Sequence, residues 1–281
     1  MAPAGRTGTR RWPRYAVVAL VLAGLGLAAA DALARQRRFG GRFPIPTEQS
    51  FDGRFNFCRA VFRSGRFGRG GGWGVDYPDA DVNFSIRLSE LTRTQVSFDE
   101  QKSPRHFVIQ LTDPVLFRCP FLMMTEPGGL FLDPAEVEAL RAYLLKGGFL
   151  WADDFWGERA WAIFEQEMRK VLPAAEFPLR DVSGDHPMLR MQFPLAAIKQ
   201  IPSINFWAGT GGGTSEWGPD SAIPEARTFV DQHGRVLVLA THNTDYGDSW
   251  EREAEDPDYF YNFSVHGYAF GINVLLYAMS H

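Results

Sequence analysis

The chain has 281 residues and predicts an α/β fold with a mainly parallel sheet and an antiparallel edge hairpin, preceded by an N-terminal apolar segment. Three observations carry that expectation. Apolar runs of strand length alternate with segments of helical period through the first two thirds of the chain, as βαβ units require. The run "FLWA" at 149–152 has no polar alternation, so it reads as a strand covered on both faces, which is the condition of parallel sheets. Two later apolar runs, joined by a short polar turn, read as a hairpin.

Residues 1–34 hold a basic leader (Arg6, Arg10, Arg11, Arg14), an apolar run from Tyr15 to Ala30 and the small-residue site Ala32-Leu33-Ala34. That is the anatomy of a signal peptide. Arg35, Arg37, Arg38 and Arg42 follow immediately and oppose translocation, so a retained single anchor is the alternative. In either case the folded part is expected outside the cytoplasm, periplasmic, and the membrane is met only through this segment. Residues 35–53 are polar, with Gly and Pro, and read as a linker. One domain is expected over 54–281.

That domain opens with a strand in "RFNFCRAVFR", a Gly-rich loop, and a helix over 80–92 with Phe84, Leu88 and Leu91 at helical spacing. "FVIQL" and "CPFLMMT" are short strands. "LDPAEVEALRAYLLKGG" carries a full helix grammar: Asp133 as N-cap, Pro134 in the first turn, Glu136 three residues after the cap, and Gly147 past the end. "FLWADD" is the next strand, and "ERAWAIFEQEMRKVL" a helix with Trp161, Phe164, Met168 and Leu172 on one stripe. A long Gly/Pro/Ser loop over 202–226 leads to the hairpin "RTFVDQHGRVLVLATHN", turning near 232–234. An acidic loop over 245–260 and a closing helix over 266–281 end the chain.

In open α/β sheets, ligands bind beyond the carboxyl ends of the strands. Three groups of residues are expected there. Asp153 and Asp154 end the "FLWA" strand and are read as binding, catalytic or simply helix-capping. Trp73, Asp76, Tyr77 and Asp81 follow the first strand; aromatic faces beside carboxylates suit sugar rings, while the alternative is a lid packed on the core. His242, Asn243, Asp245, Asp248 and Trp250 follow the hairpin. The topology predicts that Asp76, Asp154 and Asp245, the candidate catalytic residues, converge on one rim with Trp73, Tyr77 and Trp250. Arg59, an arginine inside an apolar strand, is the candidate counter-charge.

The ordered motifs "FNFCRAVF", "WGVDYPDADVNF", "LTDPVLFRCPFLMMT", "LRAYLLKGGFLWADD" and "FGINVLLYAM" together resemble the bacterial domain of unknown function 4159 family, which is grouped with class I glutamine amidotransferase-like and trehalose-utilisation-like domains. The resemblance covers nearly everything after the linker. It implies a flavodoxin-like three-layer sandwich and no particular reaction. Class I amidotransferases place a cysteine in a Gly-x-Cys-x-Gly elbow with a His-x-Glu pair downstream. Here Asp153-Asp154 stand where that cysteine would be and no His-x-Glu follows, which argues against glutamine hydrolysis by a thiol.

Other classes are excluded more directly. Lys+Arg 29 against Asp+Glu 33 gives a net charge of -4, without the basic excess that nucleic acid requires. No Gly-Lys-Ser/Thr follows the Gly-rich loop and no Gly-x-Ser-x-Gly elbow occurs. Neither a metal-ligand spacing around His242 nor a cofactor motif is present, so no cofactor is expected. Two cysteines, Cys58 and Cys119, exclude a Cys₄ zinc cluster and leave open whether they pair. The functional expectation is a non-thiol domain that binds a carbohydrate or envelope component, within an envelope protein complex. The alternative is a metal- or carboxylate-dependent hydrolase using Asp154 with Asp76 and Asp245.

Overall fold

Seven strands form a single sheet, five of them parallel, and the chain reaches each parallel neighbour through a crossover on one face or the other. The computed structural model describes residue 43, residues 45–65 and residues 71–281. The expected signal or anchor, about half of the linker and part of the Gly-rich loop lie outside the described residues. Among the described residues no helix is long and apolar enough to cross a membrane.

The sheet is built from β1 (Phe57–Val61), β3 (His106–Gln110), β4 (Phe121–Thr125), β6 (Phe149–Asp153), β7 (Leu179–Asp181), β8 (Glu225–Val230) and β9 (Val236–His242). Its order is β3-β1-β4-β6-β9-β8-β7, with β8 antiparallel to both β9 and β7. Counted in chain order, the five parallel strands therefore run 2-1-3-4-5, the doubly wound order of flavodoxin-like sheets. A separate small ribbon pairs β2 (Arg63–Ser64) with β5 (Leu130–Phe131). The expected hairpin is present; the sequence reading missed the short edge strand β7 and the short helices Ile204–Thr210 and Tyr246–Glu251, which lie in stretches it read as loops.

Strand alternation explains the three layers. Cys58 and Ala60 of β1, Leu122 and Met124 of β4, and Leu150 and Ala152 of β6 face one core, beneath α2 (Pro134–Leu145) and α3 (Gly157–Val171). Phe57 of β1, Phe121 and Met123 of β4, and Phe149 and Trp151 of β6 face the other. That second core is closed by α1 (Asp79–Leu91), α5 (Tyr246–Glu251) and the apolar α6 (Val265–Ser280), with the short α4 (Ile204–Thr210) at its margin. The caps work as the spacing predicts for α2: Asp133 accepts from Glu136 N, and the Glu136 side chain accepts from Asp133 N. A disulfide joins Cys58 in β1 to Cys119 before β4, two buried positions 61 residues apart in sequence.

Candidate functional site

Four loops leave the carboxyl ends of β1, β4, β6 and β9 at one edge of the sheet, and each brings an acid. Asp76 follows β1, Glu126 follows β4, Asp154 follows β6 and Asp245 follows β9. Asp76, Glu126 and Asp154 have backbone φ of 60°, 50° and 59°, the left-handed region that non-glycine residues seldom enter. At Asp154 this turn separates the end of β6 from the start of α3. It aims the side chain across the sheet edge and leaves the adjacent Asp153 pointing beneath it.

Three of these acids meet. Oxygens of Asp76, Asp154 and Asp245 lie within 4.8 Å of one another, and all three residues are buried. Each sits in a defined hydrogen-bond setting. Trp156 Nε1 donates to Asp154 Oδ1 (2.9 Å) and Asp248 N donates to Asp245 Oδ1 (2.7 Å), Asp245 being the N-cap of α5. Asp76 Oδ2 is buried without any partner. Burial pushes all three carboxyls well above the ordinary carboxylate range; repulsion from neighbouring acids adds to this, and Arg59 opposes it at Asp76. A second group shares Asp76: its oxygens also lie within 4.8 Å of Asp248 and Glu251.

Arg59 eases the repulsion at Asp76 through its charge but forms no ion pair with the three acids. Its Nε donates to Asp81 Oδ1 (3.0 Å), its Nη2 pairs with the same carboxylate, and its Nη1 donates to Val75 O (3.0 Å) and Thr125 Oγ1 (2.6 Å). Asp81, expected on the rim, is instead fully buried as the partner of Arg59, because α1 presents its first turn to β1. Trp250 also departs from the expectation. It is 1% exposed and packs against Phe84 and Trp151, since the apolar face of α5 is turned into the core. Trp73 and Tyr77 contact one another, Tyr77 meets His106 edge-on beside Arg59, and neither ring lines Asp154's pocket.

The remaining expected residues brace the rim from below. Asp153 Oδ2 accepts from Tyr246 N (2.8 Å) and Gly247 N (3.1 Å) while Thr241 donates to its other oxygen, so it ties β6 to α5. Burial pushes Asp153 up to about 7 against those donors. Asn243, at φ 59°, accepts from Gly157 N (2.8 Å) and donates to Ile223 O (2.9 Å). His242 is buried, with Nε2 3.0 Å from Gly157 O and Nδ1 3.2 Å from Glu225. These contacts hold the start of α3 against β9.

Beside the cluster opens a pocket of about 390 Å³, into which Asp154 projects from the sheet side. Glu126, Glu216 and Asp220 supply further acids, Trp156 and Trp217 supply ring faces, and Arg159 lies on its wall. Glu126 Oε2 accepts from Gly72 N (2.5 Å), and burial pushes this carboxyl up to about 7. Sequence reasoning did not single out Glu126, Trp217 or Glu251, while Asp248, expected on the rim, shares a group with Asp76. Glu126 was within reach, because it follows the "CPFLMMT" strand as Asp154 follows "FLWA". Trp217 comes from the long loop over 202–226, and no periodicity ties it to the sheet edge. The disulfide leaves the chain without a free thiol.

A family model matches residues 60–279, and its description is "Domain of unknown function (DUF4159)". No curated protein matches the chain.

Proposed function

The chain belongs to this family of unknown function, and from its site we propose that it is an extracytoplasmic domain that binds a polyhydroxylated, carbohydrate-like envelope component in the pocket beside Asp154. The observation that carries this reading is the lining of that pocket: Asp154, Glu126, Glu216 and Asp220 between the rings of Trp156 and Trp217. Carboxylates accept hydrogen bonds from sugar hydroxyls and from the ammonium of amino sugars, while indole faces cover the apolar side of a pyranose ring. Such an acid-rich wall disfavours phosphate or carboxylate ligands. The extracytoplasmic placement draws support from the Cys58–Cys119 disulfide, a bond that persists in oxidising compartments, together with the leader-like N-terminus.

The test is calorimetric and array-based binding of the purified protein to envelope glycans that include amino sugars, with Trp217→Ala and Asp220→Asn as variants. Binding that both variants weaken supports the reading. A silent panel, or binding that neither variant changes, overturns it.

A second reading, a metal- or carboxylate-dependent hydrolase, is favoured by one further observation: Glu126 and Asp154 line the same pocket. Two carboxyls in unlike settings are the arrangement that general acid–base hydrolysis uses. In this reading Asp154, whose protonated form is favoured by burial and by repulsion from Glu126, Asp76 and Asp153, is the proton donor, and Glu126, whose carboxylate accepts from Gly72 N, is the base. Turnover of chromogenic glycosides by wild type, lost in Glu126→Gln and Asp154→Asn, separates hydrolysis from binding alone. Binding of a glycan without turnover rules the hydrolase out for that ligand.

A further inference from the structure

We propose that Asp76, Asp154 and Asp245 hold one divalent, oxygen-preferring cation, of the Ca²⁺, Mg²⁺ or Mn²⁺ kind, at the carboxyl edge of the sheet. Three buried carboxylates with oxygens within 4.8 Å repel one another strongly unless positive charge or protons join them. Among the described residues none of the three forms an ion pair; the nearest candidate, Arg59, is committed to Asp81 and to backbone and Thr125 oxygens.

A second, independent observation points to a ligand. Asp76 is 5% exposed, and its Oδ2 has no hydrogen-bond partner. An orphaned buried acceptor is costly, so something absent from the chain itself is expected to meet it. That oxygen is aimed into the cluster. A methyl group built on Gly247 would lie 2.2 Å from Asp76 Oδ2 and 3.5 Å from Asp245 Oδ1, so both oxygens crowd the same point over the first turn of α5. Glycine there lets the carboxylates approach the backbone.

The other carboxylates are oriented as metal ligands commonly are, by hydrogen bonds to one oxygen that leave the second for the ion. Trp156 Nε1 anchors Asp154 Oδ1, and Asp248 N anchors Asp245 Oδ1. The donor set is all carboxylate, with neither His nor Cys, which selects hard cations over zinc or copper. The neighbouring group of Asp76, Asp248 and Glu251 is the weaker host. Asp248 Oδ2 already accepts from Ile204 N (2.7 Å) and Tyr259 OH (3.1 Å), and Glu251 is only partly buried. The inference stands apart from the glycan reading, since a cation here binds whether or not a sugar enters the pocket.

The full chain, stripped with chelator, is titrated with CaCl₂, MgCl₂ and MnCl₂ by calorimetry and thermal melting. Tb³⁺ luminescence excited through tryptophan serves as a proximity probe, because the Trp156 indole donates to a proposed ligand. Saturable binding with a raised melting temperature and sensitised Tb³⁺ emission is expected. Asp76→Asn and Asp245→Asn should each raise the Kd about tenfold or more, while melting without cation no lower than wild type, because each removes a repelling charge. That last readout separates ligand loss from misfolding. Glu251→Gln should leave the Kd within about twofold. No heat, shift or emission with any of the ions overturns the proposal and leaves the acids held by protons. So does cation binding that survives Asp245→Asn and is abolished by Glu251→Gln.

Discussion

Replacing Asp81 with Asn keeps its shape and removes the charge that neutralises Arg59. Both residues are within 1% of complete burial, and the guanidinium meets Asp81 through Nε at 3.0 Å as well as through Nη2. At that distance and an effective dielectric of about 20, the charge–charge attraction is roughly 5 kcal/mol. Asn retains an acceptor, and the Nη1 bonds to Val75 O and Thr125 Oγ1 remain. An uncompensated buried charge nevertheless costs about 3–5 kcal/mol. With a urea slope of about 3 kcal/mol/M, the unfolding midpoint should fall by about 1–1.7 M. Equilibrium urea unfolding, followed in parallel by tryptophan fluorescence and far-ultraviolet circular dichroism, reads this directly. The double variant Arg59→Met with Asp81→Leu should recover most of the loss, since an apolar pair of similar volume leaves no buried charge. An Asp81→Asn midpoint indistinguishable from wild type, or a double variant no better than the single, would refute the assignment of Arg59 and Asp81 as a closed structural pair.

Other outcomes follow from the same contacts. Gly247→Ala places a methyl group 2.2 Å from Asp76 Oδ2 and should lower stability by about 1–3 kcal/mol in a thermal melt; an unchanged melt would mean the cluster is looser than described. Removing the disulfide with the Cys58→Ala, Cys119→Ala pair opens a loop of 61 residues and should cost about 2–4 kcal/mol, whereas free-thiol labelling of the unreduced wild type should find none. Glu126 titrates from an ordinary 4.5 up to about 7 in the fold. The folded protein therefore holds this proton more tightly than the unfolded chain does. Its contribution is complete below pH 4.5 and is lost as pH rises through 7. In chelator, melting temperature should decline over that window and Glu126→Gln should flatten the decline; parallel profiles for the two proteins would contradict the assignment.

The longer helices and the strand-end acids were legible because their signals are local or topological, whereas the short helices Ile204–Thr210 and Tyr246–Glu251 read as loops. The Asp133-Pro134-Glu136 grammar names its own hydrogen bonds, and α2 makes them. The convergence of Asp76, Asp154 and Asp245 followed from a rule about where parallel strands end, which needs only the strands and their order. Glu126 obeys the same rule. Its omission reflects its lone position after an apolar run, without the doubled acid that draws the eye to Asp153 and Asp154.

The direction of a side chain is a different kind of information. Trp250 and Asp245 lie five residues apart on one short stretch, yet α5 turns the first to the rim's underside as core and caps itself with the second. Adjacent Asp153 and Asp154 part in the same way, because a left-handed φ at Asp154 sends one carboxyl under the sheet edge and the other over it. Arg59 was bound to find an anion by the cost of burying its charge. Which anion it found, Asp81 rather than the cluster, depended on α1 docking its first turn against β1. Pattern along the chain thus carries layers, caps and the edge where loops meet, since each follows from neighbours within a few residues or from strand order. Pairing across the edge is settled only when helices pack, because distances of a few ångströms between residues far apart in sequence decide which charges are neutralised and which are left for a ligand.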